Sequence, residues 1–76
     1  METLQLRRVR LRDPRSDWDG HVTKVLAGPH LERGVSPGEI AVFEPDGTEE
    51  LVEETVGGKT KQHYALVYRR SRTRLV

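Results

Sequence analysis

The 76-residue chain has no cysteine and no asparagine, and it holds one tryptophan, one phenylalanine and two tyrosines. Without cysteine there is no disulfide, no thiol nucleophile and no cysteine-ligated zinc. Aromatic residues make up 5% and hydrophobic residues 34%, which sets a small core and leaves little room for a large substrate cavity. Long apolar runs are missing too. The start, Met1-Glu2-Thr3-Leu4, lacks the h-region of a signal peptide, and no later segment approaches membrane-spanning length. A short chain without disulfides suits a reducing compartment, or one in which a partner adds stability. The expectation is one soluble, cytoplasmic domain over residues 1–76 with no membrane contact.

The common catalytic and metal motifs are equally thin. His21, His30 and His63 lie too far apart in sequence for a paired zinc spacing. Asp17 and Asp19 before Gly20 open like a calcium loop, but position 28, which would need Glu, holds Gly. Ser16, Ser36 and Ser71 occupy loops or the tail rather than a strained strand-to-helix elbow. Glu49, Glu50, Glu53 and Glu54 form an acidic run with no apolar pocket around them to raise a carboxyl pKa. Gly57-Gly58-Lys59-Thr60 lacks the first glycine and the spacer of a phosphate loop, and reads as a turn. No enzyme, metal, cofactor or small-molecule substrate is expected.

What the chain does have is segregated charge. Residues 1–15 carry Arg7, Arg8, Arg10, Arg12 and Arg15 against Glu2 and Asp13. Residues 34–56 carry Glu39, Glu44, Asp46, Glu49, Glu50, Glu53 and Glu54 and no base. Residues 59–76 carry Lys59, Lys61, Arg69, Arg70, Arg72 and Arg74 and no acid. The net charge of +1 hides basic ends and an acidic middle. Arginine outnumbers lysine ten to three, a bias that a GC-rich or heat-adapted source would also produce.

Patterning points to strands. Glu39 to Tyr68 reads as a three-stranded antiparallel meander: Ile40–Phe43, a turn at Glu44-Pro45-Asp46-Gly47, Glu49–Val56, a turn at Gly57-Gly58, and His63–Tyr68. Residues 48–56 also fit a two-turn helix, because Asp46 and Glu49 have capping-box spacing and Gly57 could close its end. Thr3–Arg12 alternates with a slip between Leu4/Leu6 and Val9/Leu11, which a bulge at Arg7-Arg8 would absorb, leaving Gln5, Arg10 and Arg12 exposed. Asp13–Gly20 is a loop whose Trp18 folds back over the core, and His21–Ala27 is a second strand. His30–Gly38 reads as a connection with a turn of helix around Leu31, and Pro37-Gly38 as the turn before the meander. Arg69–Val76 is a closing strand or a basic tail.

The stretch His21–Val42, a strand leading to Gly28-Pro29, a short loop and Gly34-Val35, resembles the KOW motif of SH3-like ribosomal and transcription-elongation domains over less than a third of the chain. Gly34-Val35-Ser36-Pro37-Gly38-Glu39 also resembles the turn of bacterial swapped-hairpin antitoxins. The fold expected from the strand pattern is mostly β: a small antiparallel sheet curled into an SH3-like or OB-like barrel, with an α+β domain as the alternative if 48–56 is helical.

Such a barrel would bring its first and last strands together. Arg7, Arg8, Arg10, Arg12, Arg69, Arg70, Arg72 and Arg74 would then form a face for the phosphate backbone of RNA or DNA. Tyr64 and Tyr68 flank Leu66 on one face of their strand and would stack bases, unless both are core with hydroxyls at the rim. If the arginines instead pair with the acidic strand, no open positive field remains. The alternative function is a non-enzymatic interaction module, docking on a larger protein or associating with itself.

Overall fold

The computed structural model describes residues 6–26 and 28–76, and every regular element among them is a β-strand. β1 (Leu6–Arg12), β2 (Val22–Leu26), β3 (Leu31–Ser36), β4 (Glu39–Val56) and β5 (Lys59–Leu75) form one sheet in the order β2-β1-β5-β4-β3. All neighbours run antiparallel except β1 and β5, which are parallel. No helix of the described residues is long and apolar enough to cross a membrane.

The sheet is mixed and open, which corrects the barrel. β2 and β3 are consecutive in sequence and occupy the two edges, yet no ladder joins them among the described residues. At the corner between them Pro29 has no N–H to give, and the Gly28 carbonyl accepts the Tyr68 hydroxyl at 2.8 Å instead. The helical alternative for 48–56 also fails, since those residues are strand throughout.

The meander is corrected in the same way. Pro45-Asp46-Gly47 does not reverse the chain; it is a bulge inside an 18-residue strand. Pro45 stands opposite Tyr68 and Glu49 opposite Leu66, so Asp46, Gly47 and Thr48 together face Val67 alone. The chemistry is that of a turn: Gly47 has φ +83°, and Asp46 Oδ1 accepts from the Thr48 amide at 2.9 Å. The ladder resumes in the same direction because β5 continues alongside. The true reversal is Gly57-Gly58, with φ of +59° and +79°.

β3 replaces the expected connection with a strand, held to β4 by the Pro37-Gly38 turn in which Gly38 has φ +81°. β1 has no bulge at Arg7-Arg8: its register against β2 is continuous from Leu6↔Leu26 to Arg10↔Val22. The strand follows the phase of Val9 and Leu11, and Leu6 is left 62% exposed. Leu4 and Gln5, which belong to the expected first strand, lie outside the described residues.

The largest core cluster occupies one face of the sheet. Val9 and Leu11 of β1, Ala41 and Phe43 of β4 and Tyr68 of β5 are buried, with Trp18, Val25, Leu31, Val35 and Leu66 packed around them. Trp18 covers the core from the Asp13–Gly20 loop as its sequence position suggests, with Nε1 donating to the Gly34 carbonyl at 2.9 Å.

Candidate interaction surface

Strand alternation sends Arg8, Arg10 and Arg12 to the face opposite Val9 and Leu11. On that face β5, the middle strand, offers Ala65 and Val67, and β4 offers Val52, all buried. These short side chains leave room for the arginines to reach across β5 to β4. Arg8 holds Glu54 with two nitrogens, Nε to Oε1 at 2.7 Å and Nη2 to Oε2 at 3.3 Å. Arg12 holds Glu50 in the same two-pronged way, its Nε donating to Oε2 at 2.9 Å, and Arg10 Nη1 lies 3.6 Å from Glu50 Oε1. The hydrogen bond to Arg12, with the charges of Arg12, Arg10 and Arg69, holds the Glu50 carboxyl below its ordinary pKa against a desolvation effect. The same bond to Glu50 raises Arg12. Three guanidinium groups thus roof Ala65 and Val67 with their alkyl stems and close the charge of β1 against β4.

The C-terminal arginines are divided. Arg69 Nε donates to Asp46 Oδ2 at 2.5 Å, Arg70 Nη1 to Asp13 Oδ2 at 2.9 Å, and Arg74 Nη2 lies 2.8 Å from Glu32 Oε2. Arg7 and Arg72 are exposed and make no ion pair among the described residues. Tyr68 is 2% exposed and belongs to the core, while Tyr64 is 68% exposed. Tyr64 shares its face with Leu66 and Tyr68, and Arg8, Arg10 and Arg12 occupy the other. The expected nucleic-acid surface is therefore overturned. First and last strands do adjoin, but six of the eight arginines are tied to carboxylates, and sheet alternation separates β1's arginines from the stacking tyrosine.

Sequence reading missed the Asp13 knot. Asp13 is 1% exposed. Its carboxylate accepts from the Ser16 hydroxyl at 2.6 Å, the Arg15 amide at 3.1 Å and Arg70. Burial pushes this carboxyl up, but those hydrogen bonds and the Arg70 charge outweigh it and leave the pKa lowered. The local signal was present: Asp-Pro-Arg-Ser is an Asx-turn sequence. Only the fold could bring Arg70 to it, from 57 positions away.

The remaining distinctive surface is the outer part of the long hairpin. The β3 ladder on β4 stops at Phe43, and the β1 ladder on β5 runs only from Leu66 to Arg69. Among the described residues, 49–65 are therefore a two-stranded arm around the Gly57-Gly58 turn, and from Glu44 to Val56 the only strand partner of β4 among them is β5. On the arm's core-side face Leu51 stands opposite Tyr64, 48% and 68% exposed, between Glu49 (opposite Leu66) and Glu53 (opposite Gln62). Reading 49–56 as a separate meander strand concealed this, because a meander would have covered it. No family model, no curated protein and no solved structure matches this chain.

Proposed function

We propose that this domain is a non-enzymatic interaction module that docks on a larger protein through the β4–β5 arm. One observation carries the reading: among the described residues the outer edge of β4 is unladdered for the length of the arm, beside an exposed Leu51–Tyr64 pair. An open edge with apolar side chains attracts another chain's backbone. Charge favours a different protein over a second copy. Two β4 edges placed side by side would set Glu49 and Glu53 against the other copy's carboxylates, and like charges across strands are unfavourable.

The test compares the arm with the far loop. A photo-crosslinking residue at Thr55, in cells that express the protein, should trap one discrete species, and the same residue at Asp17 should not. Equal trapping from both positions, or none from Thr55, removes the reading. In light scattering the purified protein should be a monomer at micromolar concentration; a dimer lost on Leu51→Lys would assign the arm to self-association instead.

A further inference from the structure

We infer that the arm's β4 edge takes an extended basic segment of its partner as an added strand. This rests on the docking reading above and specifies what docks. An edge strand offers outward N–H and C=O groups on alternate residues, and an incoming strand satisfies them in register. The residues of that edge set the partner's pattern, because each of its faces has a different charge state.

On one face lie Glu50, Val52 and Glu54. Both carboxylates are already neutralised from within the sheet, Glu50 by Arg12 and Arg10 and Glu54 by Arg8, and Val52 is buried. A partner side chain on this face meets no uncompensated charge. On the other face lie Glu49, Leu51 and Glu53. Neither of these glutamates has a cation among the described residues; Glu53 has only the Gln62 side-chain amide, at 3.3 Å. Across from them an added strand gains by carrying Lys or Arg, then an apolar residue two positions on, then Lys or Arg again two positions further. The central side chain lies against Leu51 and toward Tyr64. The β1 arginines thus select the partner indirectly: by occupying Glu50 and Glu54 they confine the basic requirement to one face.

Three synthetic peptides test this by NMR titration and amide exchange on the intact protein. Each has a Thr-x-Thr-Val-Thr-x-Thr sequence, with x Lys, Gln or Glu. The Lys peptide should bind roughly tenfold tighter than the Gln peptide, as two added cross-strand charge pairs imply. It should slow exchange of alternate amides between Glu49 and Thr55, and the Glu peptide should not bind. The double change Glu49→Lys, Glu53→Lys should invert the preference. Equal binding of all three peptides with β4 protection would overturn the basic class while leaving the arm as the docking site. Binding without β4 protection would overturn strand addition. No binding by any peptide, with Thr55 still crosslinking in cells, would overturn the extended segment alone; failure of both would remove the docking reading as well.

Discussion

β4 and β5 are each one strand, yet they pass through two environments. From Glu39 to Phe43, with Arg70 to Leu75 opposite, β4 lies between β3 and β5 and buries Ala41, Val42 and Phe43. Beyond the Asp46–Thr48 bulge the same pair runs on as an arm whose core-side face is in water. The difference teaches what a strand pattern encodes. Alternation sets which residues share a face, and the neighbouring strands decide whether that face becomes core or contact surface. Leu51 and Tyr64 continue the row that includes Leu66 and Tyr68, but no described strand or loop buries them, and they are 48% and 68% exposed.

The sharpest way to break the comparison is to truncate one apolar side chain in each region. Phe43→Ala removes a ring with 0% exposure and should cost about 3–5 kcal/mol. That is much of the stability a domain of this size has. Leu51→Ala, half exposed on the arm, should stay within about 1 kcal/mol. Urea midpoints measure both. Comparable losses would show that the arm is part of the folding core rather than an appendage to it.

These regions differed in how legible they were. β1 and β2, the Gly57-Gly58 and Pro37-Gly38 turns, the Asp13–Gly20 loop and Trp18's place over the core follow from local chemistry that acts within a few residues, whereas β3 reads as a connection. Pro45-Asp46-Gly47 misled because a bulge and a turn use the same residues: an Asx hydrogen bond and a glycine at positive φ. Only the strand continuing opposite them decides which forms. Arg8, Arg10 and Arg12 misled for a related reason. Alternation puts Arg10 and Arg12 on one exposed face, the bulge expected at Arg7-Arg8 leaves Arg8 out of it, and whether that face is an open positive field depends on Glu50 and Glu54, two strands away. The possibility that they pair was readable; the two-pronged geometry over Ala65 and Val67 was not, because it needs the parallel register of β1 on β5.

The Asp13 knot ties the body end, and acid should loosen it. The folded pKa of Asp13 lies below its unfolded value of about 3.9. Its contribution is therefore present above about pH 4 and is lost as pH falls through the folded value. Asp13→Asn keeps one acceptor oxygen, enough for the Arg15 amide or the Ser16 hydroxyl but not both, and removes the charge facing Arg70. At pH 7 it should cost about 2 kcal/mol, less than a fully buried pair because Arg70 can partly rehydrate. Thermal melts of the two proteins should converge as pH falls from about 4 through the folded value. A gap unchanged down to pH 2 would mean that shape at this site matters and the Arg70 charge does not.

A comparably small effect is expected at the junction of the two regions. Glu50 is the first arm residue whose carboxylate reaches back to β1, and its side chain is 30% exposed. Glu50→Gln leaves Arg12 a hydrogen-bond acceptor and only the Asp19 carboxylate, 4.0 Å away, as counter-charge, so the roof over Ala65 and Val67 loosens without opening a cavity. The cost should be about 1 kcal/mol in low salt and less in high salt, because a partly exposed pair is screened. Urea unfolding at two ionic strengths measures it. A loss well above that value, insensitive to salt, would mean that arm and body are locked together through Glu50. An added strand on β4 would then be felt at Val9 and Leu11, and the arm could not be treated as a separate docking element. A small, salt-sensitive loss keeps the arginines as a lid that silences the Glu50 and Glu54 charges. In that case Glu49 and Glu53 alone set what the edge attracts.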